Sequence, residues 1–439
     1  MKRKINKGGH SMKNFLKKAS IYIIIMVLIA GIIFSLNYYY GQKISDEVEK
    51  EISEIAEKNN YQLRFVEVET NPLLQEMRLQ NLNLIRADRF NLIVNLAEIN
   101  LSWQQILNYI RHQNFQLDKN FVSTVEQINY SNLQDNYQLN LSDTEINYQG
   151  NLPREIMTEI SSIDGLHLLL NDNHKLVLKA AKVKYDFPYY RSYGLNNEDW
   201  NRLSTFNNFV MRANYSQENQ QLNITEFNLN GDLLKIIFNL KAGLYYNQQN
   251  EKISFTQLQG DYDFLLEAED LEFEANSYFK KLNFNQFDFK GSLDLVRKEE
   301  NLQANQLDFN LNLSSFELLL SETLSQQLNQ NTFGILAADN KFELLIDNFT
   351  YQQNYSYPSG SSQSSLDSSL VKAELEAEYN YKQDVPYVSS GTLRYQPQTA
   401  TAKQFNSFLQ LVLNQRLKQD EQGYYHLEFW GKINDLNFE

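Results

Sequence analysis

Cysteine is absent from the 439 residues, which excludes disulfides, thiolate metal sites and cysteine nucleophiles. Histidine is scarce. His10, His112, His167, His174 and His426 are the whole set. None stands at a metal-ligand spacing such as H-E-x-x-H, and His167 and His174 lie across a predicted turn. The chain has no G-x-S-x-G, no phosphate-cradling G-x-x-x-x-G-K-[ST] and no G-x-G-x-x-G. Carboxylates are plentiful, but Glu267, Glu269, Asp270, Glu272 and Glu274 interleave with Ala268, Leu271 and Phe273. A solvated strand face gives that pattern. No catalytic, metal or cofactor site is predicted, and the chain reads as a non-enzyme. Proline is also rare, at 6 residues, whereas Tyr and Phe number 27 each. That balance favours strands over disorder.

What is present is a repeated strand pattern. Leu222, Ile224, Phe227 and Leu229 read as two alternating pairs with one extra residue between them. The spacing recurs at Met77, Leu79, Leu82, Leu84 and at Val94, Leu96, Ile99, Leu101. It returns at Leu282, Phe284, Phe287, Phe289, at Leu302, Ala304, Leu307, Phe309 and at Leu344, Ile346, Phe349, Tyr351. Alternation marks a strand with one buried face. The extra residue turns the second half to the wrong face unless a β-bulge absorbs it and bends the strand. The expected fold is mainly β: a long, curved antiparallel sheet of bulged hairpins, as a groove or a sandwich, with a few short helices. Gly231, Gly260 and Gly291 each separate two alternating runs. Glycine there marks a turn, a bulge or a close backbone approach, and the period of about 30 residues suggests stacked hairpins.

Charge is unevenly placed. Residues 1–20 hold seven of the 40 Lys and Arg and no acid, so the rest sets 33 basic against 54 acidic groups. An acidic body argues against a nucleic-acid partner, which needs a basic face. The Lys-Gly-Gly at residues 7–9 precedes Met12. Its codons can spell a ribosome-binding sequence, so residues 1–11 are expected to be untranslated leader. Residues 21–40, IYIIIMVLIAGIIFSLNYYY, carry no charge. Twenty helical residues cover about 30 Å, the thickness of a bilayer core. Lysines precede the segment and Tyr38, Tyr39 and Tyr40 close it, which predicts a cytoplasmic N-terminus and a body outside. No small-x-small cleavage site follows, so an uncleaved anchor is expected.

The remainder reads in order. An amphipathic helix at 41–60 carries Ile44, Val48, Ile52 and Ile55 on one stripe and packs on the first strands. The β-rich body runs over 61–395. It contains strands 62–68, 77–85 and 90–101, a short helix at 104–111 anchored by Trp103, and a short helix at 153–160. A hairpin of 165–170 with 175–187 follows, then a loop or lid at 188–203. Long strands fill 206–320, and a helix covers 321–331. Strand 341–351 is followed by a flexible serine-rich loop at 356–369, and 370–381 then pairs with 388–395. The C-terminal part, 396–439, combines an amphipathic helix at 402–417 with a final hairpin.

Val66-Glu67-Val68, Pro72, Met77-Arg78-Leu79-Gln80-Asn81-Leu82-Asn83-Leu84 and the strand closing on Trp103 resemble the start of AsmA-like envelope proteins. The leucine–glycine hairpins of 222–295 resemble that family's later β-groove repeats. The ending, Tyr424-Tyr425-His426-Leu427-Glu428-Phe429-Trp430-Gly431-Lys432-Ile433, is similar to that of YdgA-like envelope proteins, with Asn434-Asp435 in place of their Asn-Gly. These resemblances imply a single-pass protein of the bacterial inner membrane that binds or transfers phospholipid or assists envelope assembly, with other envelope proteins as partners. The groove candidates are Ile224, Phe227, Leu229, Phe284, Phe287, Phe289, Leu307 and Phe309. The same residues fit a closed core, which would make the chain a non-enzymatic scaffold of the YdgA-like type.

Overall fold

The computed structural model describes residues 9–58, 61–64, 67–86, 90–112, 120–134, 136–150, 169–187, 194–247, 252–268, 271, 275, 278–298, 301–331, 341–382, 385–399, 402–403, 406–407, 410, 416–432 and 435–439. Helix α1 (Gly9–Lys58) opens the chain. Strands β1 (Gln62–Arg64), β2 (Glu67–Asn71), β3 (Glu76–Arg86) and β4 (Phe90–Asn100) lead to α2 (Trp103–His112). Then come β5 (Asn120–Asn132), β6 (Tyr137–Gln149), β7 (His174–Asp186) and α3 (Asn197–Ser204). The middle holds β8 (Thr205–Ser216), β9 (Gln221–Gly231), β10 (Leu234–Asn247), β11 (Lys252–Glu267), β12 (Phe279–Asn283), β13 (Gln286–Lys298) and β14 (Asn301–Leu320). Helix α4 (Glu322–Asn331) precedes β15 (Glu343–Ser356), β16 (Ser359–Ser368), β17 (Val371–Lys382), β18 (Val385–Pro397), β19 (Tyr425–Lys432) and β20 (Asp435–Phe438).

The strands form one long open antiparallel sheet. From β3 to β11 each pairs with its successor in sequence. β11 pairs with β13, and the run continues through β14 to β20. β1 and β2 share the outer edge of β3, and β12 extends β13 along the far end of β14. The expected unit of neighbouring hairpins is therefore the whole architecture. The accessible surface is 27,914 Å² for 51.6 kDa. A compact chain of that mass exposes only about 17,000 Å². The open sheet and the exposed part of α1 both contribute to the excess.

The extra residues are absorbed in two ways: on β3–β8 they stay unpaired opposite one another with the register unchanged, and bulges shift the register only from the β8–β9 pair onward. On β3 the inward face steps by three residues from Leu79 to Leu82, with Asn81 unpaired at φ 51° opposite Asn95. The same three-residue step lies opposite it in each of the next five strands. It falls at Val94/Ala97, Val125/Ile128, Leu141/Thr144, Ala180/Val183 and Phe206/Phe209. Asp143 and Asn208 repeat the positive φ of Asn81. Because each strand of β3–β8 takes its extra residue at the same level, opposite residues keep one face in common across them. Bulges that shift the register occur beside Ile224/Phe227, at Asn305 and at Asp347. One pattern was misregistered. On β4 the face-sharing residues are Leu92, Val94, Ala97 and Ile99, and Leu96 points the other way, opposite Gln80. Leu96 and Ala97 are both apolar, so alternation alone did not say which residue was the extra one.

Several other expectations change. The anchor and the amphipathic helix are one continuous α1. Ile44 and Val48 pack with Val68, Met77, Leu79 and Ile106 at the head of the sheet, as the stripe predicted. Among the described residues no helix is long and apolar enough to cross a membrane. The side chains of α1 before Met26 lie outside them. Leu169 and Leu170 form a 3₁₀ turn, not a strand, and β7 pairs with β6 and β8 instead. Trp200, expected in a loop, sits on α3 and donates to Asp186 Oδ1 at 3.2 Å. The serine-rich 356–369 is not a loop: β16 is fully paired on both edges. Backbone pairing on two sides outweighs the weak strand preference of serine. β11 ends at Glu267, and Ala268 and Leu271 turn inward with Leu195 and Leu233. The helix expected at 153–160 lies outside the described residues. Of that at 402–417, residues 402–403, 406–407 and 410 are helical and 416–417 are not, and Phe405, Phe408, Leu409, Val412 and Leu413 lie outside the described residues.

Candidate functional site

Residues directly opposite one another in an antiparallel pair share a face. Following the register from strand to strand therefore traces one face across the sheet. It begins with Met77, Leu79, Leu82 and Leu84 on β3. It passes through Ile146, Leu178 and Met211 to Phe227 on β9. From there it runs through Phe238, Tyr262 and Gly291 to Phe309, and on to Gln353, Ser362, Ala377, Gly391 and Phe429. Among the described strand residues only Arg86 and Arg297 put a Lys, Arg, Asp or Glu in register with it, both at strand ends. The opposite face carries the charge. Arg78 pairs with Glu98 at 3.0 Å, Lys179 with Glu145 at 3.0 Å, and Arg212 with Glu226 at 2.6 Å. Such exposed pairs add little stability, but they make that face wet.

Seven of the eight groove candidates lie on the uncharged face. Ile224, Phe227 and Leu229 oppose Leu240, Phe238 and Ile236. Phe287 and Phe289 oppose Leu313 and Leu311 on one side and Leu266 and Phe264 on the other. Leu307 and Phe309 oppose Leu293 and Gly291. β10 and β11 join the two groups into one apolar tract. Phe284 does not belong. It lies between β12 and β13 and packs beside Leu195, Leu233, Ala268 and Leu271. The break between two strands there resembles a bulge in sequence spacing. Sequence reasoning missed Phe209, Phe238, Tyr262, Phe264, Leu311 and Tyr351, although their own alternation placed them.

Rings run along this tract. Phe227 stacks on Phe238 at 4.3 Å, and Phe209 meets Phe227 edge-on at 5.5 Å. Phe289 touches Tyr262 at 5.1 Å and Phe309 at 5.8 Å, and Phe309 stacks on Tyr351 at 5.3 Å. Two more rows border β4–β8. Phe90, Tyr130, Tyr137 and Tyr185 line one end of the strands, and Phe121, Tyr148, His174 and Tyr215 the other. Between these borders the face is mainly aliphatic, with Ser123, Thr144, Phe206 and Phe209 among the aliphatic side chains. Burial pushes the phenols of Tyr185, Tyr215 and Tyr262 up, and that of Tyr148 up to about 12. The tract is not covered, because Ile224, Phe227, Leu229, Phe287, Phe289, Leu307 and Phe309 are each only half-buried.

The two ends of the face are closed. α1 and α2 cover β2–β4, with Ile44 and Ile106 fully buried. At the other end Leu417 packs on Tyr395 and Leu427, and Tyr395 donates to the buried Asn406 at 2.5 Å. Near β16 the tract turns neutral and polar. Tyr351 donates to Gln353 Oε1 at 3.1 Å, Gln353 donates to Tyr379 at 2.8 Å, and Ser362 and Ser364 lie beside them. Among the described residues no His, Asp and Glu group is arranged to hold a metal ion. No family model, no curated protein and no solved structure matches this chain.

Proposed function

We propose that this chain is a membrane-anchored, extracytoplasmic β-groove protein that binds or transfers lipid, of the kind the AsmA-like resemblance implies. One observation carries the reading: a sheet face without internal charge runs over about ten strands, and most of its residues are only partly buried, although Val125, Thr144, Ala180, Val183, Phe206 and Phe209 are buried. Soluble monomers rarely expose apolar patches beyond roughly 300–600 Å². Ten strands at about 4.8 Å spacing already span ~45 Å. Acyl chains suit such a face, since they need apolar surface and no specific polar partner. Tyrosines at the borders match the amphipathic boundary of a lipid. Residues 21–40 supply the anchor, with the N-terminus in the cytoplasm of a bacterial cell. Met26, Leu28, Ile32 and Phe34 are exposed around a single helix, as a lipid-immersed segment requires.

The test places a photo-crosslinking residue at Leu311 or at its neighbour Asn310, which faces the charged side, in cells fed a radiolabelled phospholipid precursor. Labelled lipid captured at Leu311 and not at Asn310 is the expected outcome. No capture at Leu311, or equal capture at both, rejects the groove and leaves a non-enzymatic envelope scaffold.

A further inference from the structure

We infer that the β2–β3 turn and the head of α2 form a collar that sits in the headgroup region of the bilayer beside the anchor. The inference rests on reading residues 21–40 as the membrane span. The turn, Asn71-Pro72-Leu73-Leu74-Gln75, is tied directly to α1 near the end of its apolar stretch. Asn37 Nδ2 donates to Asn71 Oδ1 at 3.1 Å, and the amide of Leu73 donates to Asn37 Oδ1 at 2.8 Å. Gly41 allows the helix to lie against Thr70 and Pro72, where a Cβ would strike the Thr70 carbonyl. The turn is closed internally by Leu74 N to Asn71 Oδ1 and by Gln75 N to the Pro72 carbonyl. Its height along the helix axis is therefore fixed.

That height is the membrane boundary. Asn37 lies three residues before Tyr40, the last residue of the span, or about 4.5 Å along the axis. At this level the turn projects Leu73 and Leu74, which are 40% and 68% exposed. Gln75 extends the platform to α2. Its side-chain amide, turned to suit both partners, donates to the Leu101 carbonyl at 3.2 Å and accepts from Trp103 Nε1 at 2.6 Å. Trp103 is 48% exposed. Tyr38 and Tyr39 project from α1 at the same level, and the Lys43 ammonium lies over the Tyr39 ring at 5.6 Å. Residues 70–75 and 101–109 contain no charged side chain.

Exposed leucines ringed by Tyr and Trp are a poor water surface and a good interfacial one. Trp103 and the two tyrosines carry the amphipathic rings that favour the headgroup level, and the leucines reach toward the acyl chains. An anchor alone leaves the sheet free to swing. The collar adds a second foothold and sets the sheet with its first strands against the leaflet.

The native chain lacks cysteine, so single-cysteine variants need no other change. The full chain is reconstituted in phosphatidylcholine vesicles that carry a doxyl quencher at a shallow or a deep acyl position. Leu74→Cys, Leu28→Cys and Asn219→Cys, at exposed positions on the turn, the anchor and a distant hairpin, are each labelled with nitrobenzoxadiazole. The expected result is loss of Leu74 fluorescence to the shallow quencher, loss of Leu28 fluorescence to the deep one, and no loss at Asn219. Deep quenching at Leu28 with Leu74 as bright as Asn219 overturns the collar and leaves the anchor standing. A Leu28 probe untouched by either quencher overturns the anchor, and the collar with it.

Discussion

Replacing Phe289 with alanine tests whether the sheet behaves as a chain of neighbouring strands. The ring is half-buried and touches Tyr262 and Phe309. Its loss forfeits about half of the ~1.5–3 kcal/mol that full burial is worth. The two ring pairs add about 0.5–1.5 kcal/mol each. The expected cost is therefore about 2–4 kcal/mol. Each strand touches little beyond its neighbours, so this loss stays local, as in other quasi-one-dimensional architectures. Hydrogen exchange by mass spectrometry on the lipid-embedded chain reads it directly. Amides of β11, β13 and β14 should exchange about 30- to 700-fold faster at that cost. Those of β3 to β7 should not change. A double cycle with Phe309→Ala should return a coupling of about 0.5–1.5 kcal/mol. Acceleration spread evenly over all strands, or a coupling near zero, would refute the open-sheet register on which the groove rests.

Two further outcomes follow from local geometry. Asn81 stands unpaired on β3 with φ 51°, so Asn81→Gly should keep thermal stability, while Asn81→Val should cost roughly 1–2 kcal/mol; equal melting temperatures would remove the left-handed residue from the account. Burial, with Tyr425 second, pushes the Tyr395 phenol up to about 12, against roughly 10 when unfolded. The folded state favours the protonated phenol, so this contribution is complete below about pH 10 and is lost as pH rises toward the folded value. Tyr395→Phe should destabilise the C-terminal strands near neutrality by about 1–3 kcal/mol, because Asn406 loses its donor. It should also flatten their alkaline loss, and an unchanged alkaline profile would exclude Tyr395 as its cause.

The face was legible because alternation is a local property of the chain. Ile224, Phe227 and Leu229 announced both their shared side and the bulge between them. Legibility failed where a local signal had two meanings. The spacing across Phe284 and Phe287 matches a bulge, but Asn283 there ends one strand and Gln286 begins another. Leu96 and Ala97 both suit the inside, and only pairing with Gln80 and Leu79 separates them. The serines of 359–368 lack apolar periodicity altogether, and their strand exists because β15 and β17 hold both its edges. The alignment of unpaired residues from Asn81 to Asn208 is a property of register, which no single strand encodes. The collar was hidden for the same reason, since Asn37, Leu74 and Trp103 meet only through hydrogen bonds across 66 positions of sequence.

The segregation of charge explains why an open sheet of this size is tolerable and what it demands. A sheet wetted on both faces needs no cover but has no reason to keep Phe227, Phe289 and Phe309 in line. A closed sandwich needs a second sheet over the apolar face, and every described strand belongs to the first. On the proposed reading the cover is lipid and not a second sheet. The charged face keeps the body in water, and its formal excess of acid discourages flat adsorption to an anionic membrane. Lipid, on that reading, meets the uncharged face alone, and the collar holds that face beside the leaflet from which lipid is drawn. On this reasoning lipid should reach the crosslinking position at Leu311 only in the chain that keeps its membrane-proximal end intact. Leu73→Asp with Leu74→Asp should lower capture at Leu311 while leaving exchange in β13 and β14 unchanged. Full capture in that variant would mean that lipid enters the groove from elsewhere.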